Sequence, residues 1–214
     1  MNKNIILIGP PASGKGTQAD LLAKSKGYIK ISPGIVLRRE VEDETELGKK
    51  IQPYMTEGNL VPAEIVNKIV LGKVSEAQSS FVIDGFPREM KQAEALDDTI
   101  VKLESENFVI NIDLSDEEVM SRISGRLSCS KCGASYHFDH KKPQNELVCD
   151  LCNEKLVHRS DETEQAIARR LENYHNLTKP LKAFFQSNNN YKYFSINGKQ
   201  SIEKVFSEIE NIIK

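Results

Sequence analysis

Apolar residues fall in two rhythms along this chain. Short, mostly apolar stretches that read as buried strands occur at residues 4–8, Tyr28–Ile31, Ser80–Asp84, Phe108–Ile112 and Tyr193–Ile196. A continuous apolar run of that length suits a strand covered on both faces. Between the runs, apolar positions recur at three, four and seven residues, the period of a helix with one buried stripe. Ile167, Leu171, Tyr174, Leu181 and Phe185 make one such stripe, which Pro180 is expected to bend. Ile202, Val205, Phe206, Ile209 and Ile213 make another at the end of the chain. Ser115 with Glu118 reads as a capping box for a helix reaching about Arg126, and Asp161 with Glu164 as the start of the next long one. Strand and helix alternating in this way predict an α/β fold with a parallel five-stranded sheet and helices on both faces.

Two segments break the alternation. Residues 32–61 show short helical patterns and no strand, and 126–159 is an excursion between two helices that holds all four cysteines. Both read as insertions on the ligand side of the sheet and as candidate moving lids. The expected organisation is a core of 1–31, 62–125 and 160–214 with two inserted domains.

The chemistry begins directly after the first run, at Gly9-Pro10-Pro11-Ala12-Ser13-Gly14-Lys15-Gly16-Thr17. Strand, glycine-bounded loop and helix in that order form a phosphate cradle, as in P-loop proteins. Backbone N–H groups and the open helix N-terminus converge there with roughly half a positive charge. Lys15 adds a full charge within reach of the outer phosphates, and the Thr17 hydroxyl can ligate Mg²⁺. Asp84, at the end of the third strand and followed by Gly85-Phe86-Pro87-Arg88, is placed to hold water around that ion. Cys129-x-x-Cys132 and Cys149-x-x-Cys152 have zinc-ribbon spacing. Four thiolates suit a closed, structural Zn²⁺ site, with His137, His140 and His158 as nearby competitors.

Composition narrows the field. A net charge of −2, with both signs mixed throughout 214 residues, offers no broad cationic face, so nucleic acid is not the expected partner. The first residues lead straight into a strand and no apolar run approaches membrane length, so a soluble cytoplasmic protein is expected.

The extra glycine in Gly14-Lys15-Gly16-Thr17 resembles the loop of nucleoside monophosphate kinases, and Asp84-Gly85-Phe86-Pro87-Arg88 resembles the signature of adenylate kinases. Over nearly the whole chain the sequence is similar to the long form of that family, with a metal-bearing lid. The resemblance implies reversible transfer of the γ-phosphoryl of MgATP to AMP, giving two ADP, by a protein expected to be a monomer. It implies catalytic roles for Lys15, Arg88, Arg126, Arg159 and Arg170. ATP would lie on Ala12, Ser13, Gly14, Lys15, Gly16, Thr17, Arg122, Arg126, Ser135, Tyr136 and the backbone near Gln200. AMP would lie on Pro33, Arg38, Asn59, Leu60, Val61, Gly85, Phe86, Pro87, Arg88, Gln92, Arg159 and Arg170. Insertion 32–61 would then bind the monophosphate, and 126–159 would be the zinc lid.

Physical chemistry asks for the same residue types. Phosphoryl transfer is catalysed mostly by positioning and charge stabilisation, for which the permanently charged, forked guanidinium is suited. Three departures from the family pattern stand out. Ser32-Pro33-Gly34-Ile35-Val36-Leu37-Arg38 replaces the family's Ser-Thr-Gly-Asp-Met-Leu-Arg, so Pro33 lacks a hydroxyl that reads adenine and Ile35 lacks an acid able to pair with a lid arginine. His140-Lys141-Lys142-Pro143 replaces Phe-Asn-Pro-Pro. These changes predict weaker AMP affinity or looser discrimination among monophosphates. Two alternatives stay open here: a monophosphate kinase of another base preference, and a nucleotide-gated zinc-ribbon module whose lid lysines Lys131, Lys141, Lys142 and Lys155 contact nucleic acid or protein.

Overall fold

A computed structural model describes residues 2–214. Five strands form one fully parallel sheet: β1 (Asn2–Ile8), β2 (Ile29–Ile31), β3 (Phe81–Asp84), β4 (Ser105–Asp113) and, last in the chain, Lys192–Asn197. The spatial order is β2-β3-β1-β4 and then that last strand. Successive side chains of β1 show why the run is unbroken. Ile6 and Ile8 enter the core on one face, Ile5 and Leu7 the core on the other, and each is at most 4% exposed.

The helices are α1 (Lys15–Lys26), α2 (Pro33–Glu42), α3 (Glu46–Thr56), α4 (Ala63–Glu76), α5 (Met90–Ile100), α6 (Asp116–Ser124), α7 (Glu164–Asn173), α8 (Leu181–Ser187) and α9 (Ile202–Ile212). Helices α2 and α3 make up most of the 32–61 segment. Among the described residues no helix is long and apolar enough to cross a membrane. The cysteine-bearing segment has its own antiparallel sheet of β5 (Arg126–Cys129), β6 (Ser135–His137) and β7 (Leu156–Val157), with β5 in the middle. The last strand of the large sheet is therefore β8.

Three local expectations are corrected. The Ser115 hydroxyl caps α6 by accepting from Glu118 N–H, but the Glu118 carboxylate pairs with Arg122 and Lys199 instead of returning to the cap. Helix α7 starts at Glu164 with Thr163 as its cap, accepting from Ala166 N–H, while Asp161 turns away to pair with Arg170. The bend ahead of Pro180 is a five-residue π-turn, Tyr174–Thr178, between α7 and α8.

Candidate active site

The large sheet delivers its loops to one edge. β1 ends beside β3 with Leu7 in register with Asp84, so the glycine loop after Ile8 and the Asp84 carboxylate emerge side by side. Gly9 has φ +139°, and a Cβ there would stand 2.4 Å from the Ile112 carbonyl, so only glycine lets the loop pass that close to β4. Gly14 is the left-handed N-cap of α1. The Lys15 ammonium folds back over the loop and donates to Gly9 O at 2.9 Å, Pro10 O at 2.6 Å and Ser13 Oγ at 3.2 Å. Burial pushes the Lys15 pKa down to about 7, with Arg88 and Arg126 adding to the shift and Asp84 opposing it.

Over this loop lies a cavity of about 840 Å³, bordered by the core, by the 32–61 segment and by the cysteine-bearing segment. Of the residues expected from the sequence to bind ATP, the loop from Ala12 to Thr17, Arg122, Ser135, Tyr136 and Gln200 line the cavity. So do Pro33, Arg38, Asn59, Leu60, Val61, Gly85, Pro87 and Gln92, expected to bind AMP. Arg88, Arg126, Arg159 and Arg170 border the same space. Phe86 is the exception. Its ring is fully buried in the core beneath the sheet edge, so any part it plays in binding falls to its backbone. Tyr136 borders the cavity but its ring belongs to the small core of the cysteine-bearing segment, with Lys141 Nζ 5.2 Å from the ring centre and its hydroxyl turned to the cysteines.

The cations sit in a dry and crowded place. Burial pulls Arg88 down to about 10, reinforced by Arg170, and pulls Arg126 down to about 10, reinforced by Arg170 and Arg38. Arg38 and Arg159 are lowered by burial as well. These side chains remain charged at neutral pH, and the shifts report cations in want of anions.

Part of that want is met inside the chain, by a residue that sequence reasoning missed. Glu162 lies beneath the arginines with its side chain 6% exposed. Arg126 grips both carboxylate oxygens, and Arg159 Nη1 and Arg170 Nη1 approach Oε1 at 3.5 and 3.7 Å. Arg170 also pairs with Asp161 at 2.5 Å, and the Asp161 pKa falls despite burial because Arg170 and Arg38 face it. The available signal was Arg159-Ser160-Asp161-Glu162, an arginine two and three residues ahead of two acids. Short mixed-charge runs are usually solvated, so nothing singled it out.

Several cavity-lining side chains are held by the fold itself. Arg122 donates to Gly198 O at 2.8 Å, tying α6 to the loop that carries Gln200. Gln92 is 2% exposed, and its Oε1 accepts from Arg88 N–H at 2.9 Å. The two inserted segments touch across the cavity mouth. A Cβ on Gly133 would lie 2.9–3.1 Å from three side-chain carbons of Ile35, so Ile35 rests directly on the Gly133 backbone. In place of the ionic contact that an acid at position 35 could have made, an apolar one stands.

The four cysteine sulfurs lie within 4.8 Å of one another. Cys129 and Cys152 are 3.4 Å apart, and Cys132 and Cys149 3.5 Å. A tetrahedral Zn²⁺ with ligands at about 2.3 Å needs sulfurs about 3.8 Å apart, so the cluster fits that ion with little movement. Burial pushes the Cys129 and Cys132 thiols up and works against ionisation of Cys149, whose pKa hydrogen bonds from Tyr136 Oη and from the Leu151 and Cys152 backbone nonetheless bring down to about 6.

A parallel sheet with a glycine loop at its switch point, and cations from five separate segments facing one cavity, define a P-loop nucleotide phosphotransferase. Comparison with known proteins sharpens the class. The adenylate kinase family model matches residues 7–190. The chain is 41% identical over 212 residues to the adenylate kinase of Clostridium acetobutylicum, covering 98% of each. It is also 41% identical over 217 residues to that of Desulforamulus reducens (99% of this chain, 100% of the relative), and 45% over 186 residues to that of Caldicellulosiruptor bescii (86% of each). The chain belongs to the adenylate kinase family.

Proposed function

We propose that this cleft transfers the γ-phosphoryl group of MgATP reversibly to AMP, giving two ADP. The observation that carries the reading is the convergence of Lys15, Arg38, Arg88, Arg126, Arg159 and Arg170 on one buried space above the glycine loop. The loop N–H groups and Lys15 hold the ATP phosphates, while Arg38 and Arg88 hold the phosphate of AMP. An oxygen of that phosphate attacks the γ-phosphorus in line. The bond to the β–γ bridging oxygen breaks, and ADP leaves from each side. Arg126, Arg159 and Arg170 exchange their intrachain carboxylates for the oxygens of the moving group, where each is worth about 10³-fold in rate or more. No protein nucleophile is needed, because the acceptor oxygen belongs to the substrate.

Thr17 and Asp84 would hold Mg²⁺ against the nucleotide, directly or through water. Asp84 Oδ2 lies 3.2 Å from where a Gly16 Cβ would stand and accepts from the Ser32 hydroxyl at 3.2 Å, which places its charge over the loop. The ion would neutralise the bridging phosphates. Cys129, Cys132, Cys149 and Cys152 would hold structural Zn²⁺. Segment 32–61 is the monophosphate-binding unit in this reading and 126–159 the lid, in a cytoplasmic monomer.

The base preference of the acceptor site is open to a finer reading. Pro33, buried at the first turn of α2, has neither a hydroxyl nor an N–H to offer a base, and the Gln92 oxygen is already engaged by Arg88. Both favour looser discrimination among monophosphates. The test is phosphoryl transfer from MgATP to AMP, CMP, UMP and GMP with wild type and Arg88→Ala. Turnover with AMP, lost in the variant while ATP still binds, is expected. Undiminished turnover in Arg88→Ala would remove the reading, and a wide margin for AMP with an ordinary KM would remove its finer part.

A further inference from the structure

The π-turn lies outside every motif in the sequence, yet it borders the cleft. Lys179 N–H donates to Tyr174 O at 2.7 Å, a bond across five residues instead of four. Pro180 explains its location. Proline has no N–H and its ring crowds the carbonyl four residues back, so the helix must loosen just ahead of it. Widening the turn has a geometric result. In a regular α-helix Asn173 and Thr178, five residues apart, would point about 140° away from each other. Across the π-turn both border the cavity.

Each then reaches out of its own helix to a distant backbone carbonyl. Asn173 Nδ2 donates to Gly58 O at 3.2 Å, and Thr178 Oγ1 donates to Arg88 O at 2.8 Å. Gly58 comes so close to α7 that a Cβ on it would stand 2.3 Å from Ala166 O, and it leads directly into Asn59, Leu60 and Val61. Arg88 is fixed at three points: Thr178 on its carbonyl, Gln92 on its N–H, and its own Nε on Gly85 O at 2.9 Å. Thr178 is 8% exposed, so losing this bond would leave its hydroxyl and the Arg88 carbonyl little access to water. The same helix bears Arg170 on the phosphoryl side.

We propose that the π-turn positions the monophosphate half of the cleft, with Thr178 as the positioning residue for Arg88 and Asn173 for the Gly58–Val61 stretch. This rests on the assignment of that half to AMP. A threonine serving only helix stability would affect both nucleotides alike, or only the melting temperature.

The experiment is steady-state kinetics, varying AMP and MgATP separately, on wild type, Thr178→Val, Thr178→Ser and Asn173→Ala, with thermal melts alongside. Thr178→Val keeps the side-chain shape and removes the hydroxyl. The expected result is a KM for AMP raised about five- to tenfold, with the KM for MgATP changed less than twofold. Thr178→Ser restores the wild-type value, and Asn173→Ala gives a weaker split of the same kind. An unchanged KM for AMP in Thr178→Val, equal shifts for both nucleotides, or a serine variant as impaired as the valine would overturn the proposal. The wild type separates this failure from that of the functional reading. If it phosphorylates no monophosphate, both fall; if it does and Thr178→Val matches it, the positioning role falls alone.

Discussion

Replacing Glu162 with glutamine keeps the size of the side chain and one acceptor oxygen but removes the charge on which Arg126, Arg159 and Arg170 converge. The group is 6% exposed on its side chain, so water cannot replace it without the site opening. Removing one partner of a buried ion pair costs about 3–5 kcal/mol. Glutamine retains a hydrogen bond, which puts the loss at the low end, near 3 kcal/mol. For a chain of this length each kcal/mol moves the melting temperature by about 2–4 °C, so the nucleotide-free variant should melt roughly 6–12 °C below wild type. Phosphates in the cleft supply the arginines with other anions, and with saturating MgADP the gap should shrink to about 3 °C or less. Thermal melts of both proteins with and without MgADP measure this directly. An equal drop in the two conditions would show that Glu162 is an ordinary structural ion pair, and no drop in either would show that the arginines do not gather on it in solution.

Two further outcomes follow from the site. Lys15, with a pKa brought to about 7 by burial, is mostly neutral in the free protein at pH 8, and bound phosphates favour its charged form. ATP binding at pH 8 should therefore take up to about nine-tenths of a proton, and almost none at pH 6; calorimetry in buffers of different ionisation enthalpy reads this, and a heat independent of buffer at pH 8 would contradict it. The metal cluster should carry one Zn²⁺ per chain, and its removal by a chelator, or Cys149→Ser, should lower the melting temperature and expose four thiols to reagent; a metal-free protein that melts like the loaded one would exclude a structural role.

What could be read from the sequence was chemistry contained in a short stretch. Gly9–Thr17, Asp84–Arg88 and the paired cysteines each bring their functional groups within one turn or loop, so local geometry alone implies the site. The five strands were legible as short, mostly apolar stretches: β1, β3 and β4 are covered on both faces, whereas the edge strands β2 and β8 are partly exposed, β8 over most of its length, and depart from the expected two-sided burial. The strands of the cysteine-bearing segment were not, since β5, β6 and β7 have four, three and two residues and show no periodicity. Pro180 announced a disturbance in the helix, but whether the helix kinks or widens depends on what Thr178 and Asn173 find across the cleft. Glu162 was invisible for the same reason: its environment is made by three arginines, of which Arg126 lies 36 residues away along the chain. The acid missing at position 35 pointed to altered closure, and only the contact with Gly133 shows its form.

The electrostatics and the packing of the cleft divide the work of closure between them. Lys15 and the five arginines face Asp84, Asp161 and Glu162, so without substrate the closed cavity holds more cationic than anionic charge, and burial raises the cost of the excess. One nucleotide removes part of that cost. In the proposed reaction two nucleotides would be needed to leave each guanidinium with an anion, and closure would be favoured most with donor and acceptor both present. A charged contact between the inserted segments would add to the balance and respond to the same field. The Ile35–Gly133 contact does not: it adds apolar attraction that is indifferent to the state of the phosphates. In the proposed reaction the same arginines would favour closure and stabilise the moving phosphoryl, so that shielding from water and catalysis would arise from one set of charges.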